Sequence, residues 1–112
     1  MEIDISERNY RVSVISPKGR LDAFTVPALR ERINQLCDEG VIYFVLDLSS
    51  VSFMDSAGMT VLVSLLRRTR PNGGNVKLVR PTQDAAMRVL RLTKMDQAFA
   101  FVDNVDTQLM VF

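Results

Sequence analysis

The sequence predicts a single-domain α/β fold in which a mixed, mostly parallel β-sheet of about four to five strands is flanked by about four helices. Strand-like and helix-like segments alternate along its 112 residues, and no repeat or linker interrupts them. The 47% hydrophobic and 24% charged residues are ordinary globular values, so a packed core is expected rather than disorder. This length suits one hydrophobic core. We therefore expect residues 1–112 to form one domain.

Two alternating segments open the chain. Residues 2–6 (EIDIS) and residues 10–16 (YRVSVIS) alternate polar and apolar side chains, which is typical of β-strands. Pro17 and Gly19 mark a turn after the second segment. The two strands predict an opening hairpin, and its antiparallel pairing is what makes the predicted sheet mixed.

A helix is predicted next, followed by a buried strand. Thr25 and Pro27 suit the start of the helix and Gly40 its end. Its apolar side chains recur at helical spacing, at Val26, Leu29, Ile33, Leu36 and Cys37. Residues 41–48 (VIYFVLDL) are apolar on both faces, which is typical of a central strand covered on both sides.

A second helix is predicted from the corner at Asp55 and Ser56 to about Thr69. Its apolar side consists of Met59, Val61, Leu62, Val63, Leu65 and Leu66. Val61 and Leu65 have two possible roles, burial in the core, which is the commoner fate of such residues, or an apolar anchor for a partner.

The rest of the chain continues the alternation. After a break at residues 70–75 (RPNGGN), residues 76–79 (VKLV) and 99–102 (FAFV) predict two more strands. Pro81 and Thr82 open a third helix between them, and its buried side consists of Ala86, Val89 and Leu90. Residues 103–112 predict a terminal helix. Such alternation indicates βαβ units with right-handed crossovers.

The residue types exclude several classes of enzyme. The sequence contains no histidine, which rules out Ser-His-Asp and Cys-His catalysis and every metal site that needs an imidazole. The one cysteine, Cys37, allows neither an intramolecular disulfide nor a thiolate cluster, and its apolar neighbours predict a small core residue. We therefore expect no metal and no cofactor.

Charge and hydropathy point away from nucleic acid and membranes. The net charge is +1, and the cluster of Arg67, Arg68 and Arg70 falls at the end of a predicted helix, where cations complement the helix dipole. The first ten residues do not resemble a signal peptide, and no apolar run reaches membrane-spanning length. We expect a cytoplasmic protein that does not bind nucleic acid directly and does not bind membranes.

Two acids and a serine fall at strand-to-helix corners. Asp22 follows the short segment GRL and precedes the first helix, while Asp55 follows the central strand and precedes the second helix. Functional groups in parallel α/β sheets gather outside the carboxyl ends of the strands. If the two strands are parallel, Asp22 and Ser56 lie at the same edge.

Ser56 has three possible roles. Ser56 or Asp55 could simply cap the helix, because their oxygens accept hydrogen bonds from the first turn. A nucleophile would need a lysine or carboxylate base, and DSAGM is not the G-x-S-x-G elbow. A phosphorylated Ser56 would place charge at a helix start, where the fold tolerates it, yet disrupt a protein interface. Gly58 indicates a close backbone approach, either by neighbouring structure or by a partner.

These residues carry a resemblance to a known family. Residues 46–59 (LDLSSVSFMDSAGM) resemble the signature of the STAS domain, in particular that of bacterial anti-sigma factor antagonists. Residues 19–22 (GRLD) resemble the family's G-x-(L/I)-D corner, and the similarity extends to residues 90–106. It therefore covers almost the whole chain, and the central motif is its specific part.

The resemblance implies a binding module that has no enzymatic activity. In that family the serine matching Ser56 is phosphorylated by a partner anti-sigma factor that is also an ATP-dependent serine kinase. The unmodified antagonist binds this partner and frees the sigma factor, phosphorylation ends the binding, and a serine phosphatase restores it. The partner-binding surface implied by position consists of Asp22, Asp55, Ser56, Ala57, Gly58, Met59 and Thr60.

Two departures from the family pattern bear on this switch. Ala57 replaces a serine or threonine that many members carry, and Thr60 replaces a common glycine, which adds bulk and a second hydroxyl that a kinase could modify. The alternative function is a constitutive STAS scaffold or transporter-associated subunit that is not switched at Ser56. An enzyme is the third alternative, and it requires turnover that replacing Ser56 by alanine abolishes.

Overall fold

The computed structural model describes residues 11–105, which form two parallel sheets and three α-helices. The larger sheet has the order β1-β3-β5-β6, with strands Val12–Ile15, Tyr43–Asp47, Asn75–Val79 and Ala100–Val102. The smaller sheet pairs β2 (Gly19–Leu21) with β4 (Val51–Met54). The helices are α1 (Val26–Asp38), α2 (Ser56–Thr69) and α3 (Asp84–Leu92), and two short 3-10 helices cover Arg70–Asn72 and Met95–Gln97.

The α/β fold class is confirmed, with a different count of elements. The described residues contain six strands and three α-helices, and every strand pair among them is parallel. The predicted antiparallel pairing involves residues 2–6, which lie outside the described residues. Most of the predicted terminal helix, residues 103–112, lies outside them too, and the described part of it is not helical.

The core consists of buried side chains from both sheets and all three α-helices. Phe44, Val45 and Leu46 on β3 are fully buried, as predicted for a strand covered on both faces. Leu62 and Leu65 of α2 and other fully buried side chains pack into the same core. Each such side chain stabilises the fold by about 1.5–3 kcal/mol relative to exposure.

One strand was missed, and its presence corrects the position of the serine corner. Asp55 does not follow the central strand, because β3 ends at Asp47 and β4 (Val51–Met54) lies between them. The carboxylate of Asp47 accepts hydrogen bonds from the N–H and the hydroxyl of Ser49, at 3.0 and 2.6 Å. This local bonding turns the chain out of the larger sheet, and the following residues pair with β2 instead.

The predicted helices are found with small shifts. The start of α1 at Val26 with Pro27 in its first turn, and its end before Gly40, are confirmed. The third helix begins at Asp84 rather than at Pro81, because its N-cap, Gln83, has an extended backbone (φ −92°, ψ 130°). No helix among residues 11–105 is long and apolar enough to cross a membrane.

Candidate functional site

The β2–β4 pair brings the two acidic corners to one edge of the fold. The strands are parallel, with Leu21 opposite Met54, so Asp22 and Asp55 follow them at the same end. The N–H of Asp55 donates to the carbonyl of Leu21 at 3.3 Å. The expected shared edge is therefore present, with Ser56 next to Asp55. We call the segments 20–25 and 55–60 the switch edge.

Asp55 caps helix α2. Of the two residues considered for this role, Asp55 and Ser56, it is therefore the aspartate that caps. Its Oδ1 accepts hydrogen bonds from the N–H groups of Ala57 at 2.8 Å and Gly58 at 3.2 Å. Its backbone is extended (φ −112°, ψ −170°), as an N-cap requires, and its carbonyl accepts the N–H of Met59 at 3.1 Å. Ser56 is the first helical residue, so its hydroxyl is not needed as a cap.

Ser56 is exposed at this corner, and its hydroxyl has no hydrogen-bond partner among residues 11–105. The nearby Thr60 is also exposed, but its Oγ1 donates to the carbonyl of Ser56 at 2.8 Å. Within residues 11–105 the hydroxyl of Ser56 is therefore free, whereas that of Thr60 is internally bonded. Within the described residues no lysine or carboxylate accepts a hydrogen bond from Ser56, as a nucleophile would require.

Gly58 is required by the neighbouring strand. A Cβ at this position would lie 2.7 Å from the carbonyl oxygen of Leu21 and 2.7 Å from Cγ of Met54. The first turn of α2 thus rests directly against the end of β2. The close approach indicated by the sequence comes from within the domain.

The predicted partner-binding residues differ in their exposure. Ser56 and Thr60 are exposed, whereas Asp22, Asp55 and Ala57 are half-buried. Gly58 and Met59 are buried, the latter with 6% of its surface exposed, so they affect the outer surface only through the position of the helix. Val61 and Leu65 are also buried, at 2% and 1% exposure, which rules them out as an exposed anchor.

Asp22 organises the other half of the switch edge. Its Oδ2 accepts a hydrogen bond from Nε of Arg20 at 3.0 Å, and its Oδ1 accepts the N–H groups of Phe24 and Thr25 at 3.0 and 3.2 Å. The Arg20 hydrogen bond, helped by these backbone donors, lowers the pKa of the Asp22 carboxyl despite partial desolvation. Asp22 therefore carries a negative charge at neutral pH.

Two features of this edge were missed by sequence reasoning. The guanidinium carbon of Arg20 lies 4.3 Å from the centroid of the Phe53 ring, which fixes the arginine beside Asp22. Phe24 is 94% exposed. The signal for Phe24 was present, because this aromatic residue falls outside both the strand alternation and the helical spacing that begins at Val26.

Two arginines of the cluster at the other end of α2, Arg68 and Arg70, have internal partners. Arg68 donates to Asp38 at 2.8 Å and to Asn34 at 2.9 Å, and Arg70 donates to the carbonyl of Ala98 at 2.8 Å. These bonds tie the end of α2 to α1 and to the segment before β6. Cys37, on α1, is half-buried against the core, and burial raises the pKa of its thiol.

Comparisons of this chain with a family model and with known proteins lead to the same family. Residues 5–108 match the family model of the STAS domain. The anti-sigma-B factor antagonist of Bacillus subtilis (strain 168) is 28% identical over 92 residues, which cover 82% of this chain and 79% of that protein. The anti-sigma-B factor antagonist of Listeria monocytogenes is 27% identical over 109 residues, covering 97% of this chain and 94% of its own.

A solved structure shows the same fold over most of the chain. The crystal structure of an anti-sigma factor antagonist from Mycobacterium paratuberculosis superimposes with a TM-score of 0.77 and 28% sequence identity. The match covers 93% of this chain and 86% of that one. The similarity in fold therefore extends over nearly the whole chain.

Proposed function

Since this chain belongs to the STAS domain family, we propose that it is an anti-sigma factor antagonist whose binding is switched by phosphorylation of Ser56. Relatives with similar sequence are named anti-sigma-B factor antagonists. The observation that carries the switch is the exposed Ser56 hydroxyl, which is free of hydrogen bonds within residues 11–105 because Asp55 performs the capping.

The unmodified chain binds an anti-sigma factor that is also a serine kinase, and the sigma factor is released. The kinase phosphorylates Ser56, which ends the binding, and a serine phosphatase restores it. The chain acts as substrate and binding module rather than as an enzyme, and it needs no cofactor. It regulates transcription through this exchange of partners in the cytoplasm, without direct contact to nucleic acid or membrane.

Phosphorylation of Ser56 leaves the fold in place for a local reason. A phosphoserine carries about −1.5 to −2 charges at neutral pH. The first N–H groups of α2 are already bonded to Asp55, so the phosphate projects into solvent beside the half-buried carboxylates of Asp55 and Asp22. No buried bond of the domain has to break to accommodate it.

The same phosphate is costly inside an interface. Burying an unpaired charge against a partner costs about 2–5 kcal/mol. At roughly 1.4 kcal/mol per decade, binding weakens by about thirtyfold to several thousandfold. Asp22, Asp55, Ser56, Ala57 and Thr60 form the contact surface, and Gly58 and Met59 set the position of the helix that carries it.

Replacing Ser56 tests this proposal. Ser56→Ala and Ser56→Asp chains are expressed as bait in the protein's own cells, and the captured proteins are quantified by mass spectrometry. Alanine should retain an anti-sigma factor permanently, while aspartate should lose it without a change in thermal unfolding. Ser64→Asp is the matched control, because Ser64 is an exposed serine of the same helix about 12 Å further along its axis.

The outcomes separate the alternatives. Equal capture by the Ser56→Ala and Ser56→Asp chains contradicts the switch and favours a constitutive STAS scaffold or transporter-associated subunit. A catalytic turnover that disappears in Ser56→Ala supports an enzyme instead. Loss of capture in Ser64→Asp as well shows a general effect of added charge on α2, which also contradicts a switch located at Ser56.

A further inference from the structure

Phe24 differs from every other phenylalanine that the structure describes. Phe44 and Phe99 are buried in the core, with 0% and 5% of their surface exposed. Phe53 and Phe101 are half-buried, and the guanidinium groups of Arg20 and Arg80 lie over their rings at 4.3 and 4.6 Å. Phe24 is 94% exposed, so its ring contributes almost nothing to the stability of residues 11–105.

The backbone beneath Phe24 is held in place by the corner around it. Its N–H donates to Oδ1 of Asp22 at 3.0 Å. The hydroxyl of Thr25 donates to the carbonyl of Arg20 at 2.9 Å and accepts the N–H of Asp22 at 2.9 Å. The ring therefore projects from an ordered turn, and a partner that binds it does not have to order the backbone first.

Phe24 also lies at the same edge as the phosphoacceptor. It follows β2 by three positions, and the end of β2 contacts the start of α2 through Leu21, Asp55 and Gly58. A protein that covers Ser56 therefore meets this corner as well. Aromatic side chains that fill a pocket are typical of the few residues that dominate the affinity of an interface.

We propose that Phe24 is the apolar anchor of the switch edge and inserts into an apolar pocket of the anti-sigma factor. This rests on the proposed function, because the occupant is the partner that reads Ser56. A second copy of the chain is disfavoured, since a single exposed ring beside the charged Asp22 and Arg20 offers little self-complementary apolar area. Both features then act on the same interface: Phe24 supplies affinity for the anti-sigma factor, and phosphorylation of Ser56 opposes the binding.

The test measures binding in a background that is always unphosphorylated. The bait is the Ser56→Ala chain, and the anti-sigma factor that it captures from the protein's own cells is purified for titration. Adding Phe24→Ala should raise the dissociation constant about thirtyfold or more, which corresponds to about 2 kcal/mol. The matched control is Leu92→Ala, which removes another exposed apolar side chain (71%) at the end of α3 and should leave the constant unchanged.

The possible failures are distinguishable. A Ser56→Ala bait that captures no anti-sigma factor contradicts the proposed function and the anchor together. Capture with a dissociation constant that Phe24→Ala leaves within twofold contradicts the anchor alone. A change in oligomeric state on size-exclusion chromatography, with unchanged partner affinity, would assign Phe24 to self-association and also overturn the anchor. Thermal unfolding of Phe24→Ala should match that of its parent, because the ring is not part of the core.

Discussion

The two ends of helix α2 are built for different purposes. At its C-terminal end, Arg68 and Arg70 bond to α1 and to the segment before β6, and the hydroxyl of the buried Thr69 donates to the carbonyl of Leu65 at 2.9 Å. At its N-terminal end, Asp55 completes the cap and leaves the neighbouring Ser56 hydroxyl exposed and free of bonds within residues 11–105. Phe24, which is 94% exposed, follows β2 at the same edge.

The difference shows how a domain leaves a hydroxyl exposed and unbonded on a rigid helix. The C-terminal end uses its polar groups to join the helix to its neighbours. The N-terminal end needs one carboxylate for capping, so the adjacent hydroxyl can be modified without removing a structural bond. Changes at the C-terminal end should therefore affect stability alone, whereas changes at the N-terminal end should also affect partner binding.

The largest effect on stability is expected from a pair of glycines, one near each end. A Cβ at Gly74 would overlap the backbone carbonyl of Ile42, and one at Gly58 would lie 2.7 Å from the carbonyl oxygen of Leu21. Overpacking typically costs about 1–3 kcal/mol, which outweighs the gain of about 0.5–1 kcal/mol from alanine in the helix at Gly58. Urea unfolding should rank Gly74→Ala below Gly58→Ala, and both below the parent.

Partner binding separates the two glycine variants. Under conditions where both remain folded, Gly58→Ala should lose affinity for the captured anti-sigma factor, because it displaces α2 from the corner at Leu21. Gly74→Ala should keep it. A Gly58→Ala chain that is more stable than the parent would show that the contact between α2 and β2 is loose, and the proposed rigidity of the switch edge would be wrong.

A smaller effect is expected from removing the cap. Asp55→Ala leaves the N–H groups of Ala57 and Gly58 without their carboxylate acceptor, and loss of an N-cap costs about 0.5–2 kcal/mol. Asp55→Asn should recover most of this loss, because an amide oxygen accepts the same bonds. The measurement is the urea midpoint at an unchanged slope.

The other end of α2 supplies the control for the cap variant. Arg68→Met removes the exposed ion pair with Asp38, which contributes at most about 1 kcal/mol. It should leave partner binding unaltered. Equal stability of Asp55→Ala and the parent would contradict the assignment of Asp55 as the cap that stabilises α2.

The smallest effect concerns pH. The Arg20 hydrogen bond lowers the pKa of Asp22 in the folded state, so its stabilising contribution is present above the unfolded pKa of about 3.9 and is lost as the pH falls through the folded value. Asp22→Asn should therefore be less stable than the parent at pH 7, with a difference that shrinks below about pH 4. Urea unfolding at a series of pH values measures it. A difference that stays constant down to pH 2 would contradict this assignment.

Much of the switch edge could be predicted from the sequence. The helix that starts beside Ser56 and the carboxyl-end position of Asp22 both follow from local patterns, and both are confirmed. The choice of Asp55 as the cap could not be made, because aspartate and serine are similarly favoured there. The reason for a glycine at position 58 was equally open. Only the packing of α2 on β2 shows that the group approaching its backbone is the carbonyl of Leu21.

The missed features depend on side-chain hydrogen bonds that a pattern of residue types does not show. Strand β4 was missed because the turn before it is made by hydrogen bonds from Ser49 to the carboxylate of Asp47, which end β3 and allow residues 51–54 to form a separate strand. The exposure of Phe24 depends on the direction in which the corner at Asp22 aims it. Sequence patterns place residues on helices and strands, whereas these directions are set by side-chain hydrogen bonds at the corners.

The central claim is that Ser56 is the modified residue of a binding switch, and phosphopeptide mapping with intact-mass analysis tests it most directly. The chain is recovered from its own cells during growth and under stress. We expect a phosphate on Ser56 whose occupancy changes between the two conditions, with Thr60 unmodified because its hydroxyl is bonded to the Ser56 carbonyl. A chain that carries no phosphate on Ser56 in either condition would contradict the switch.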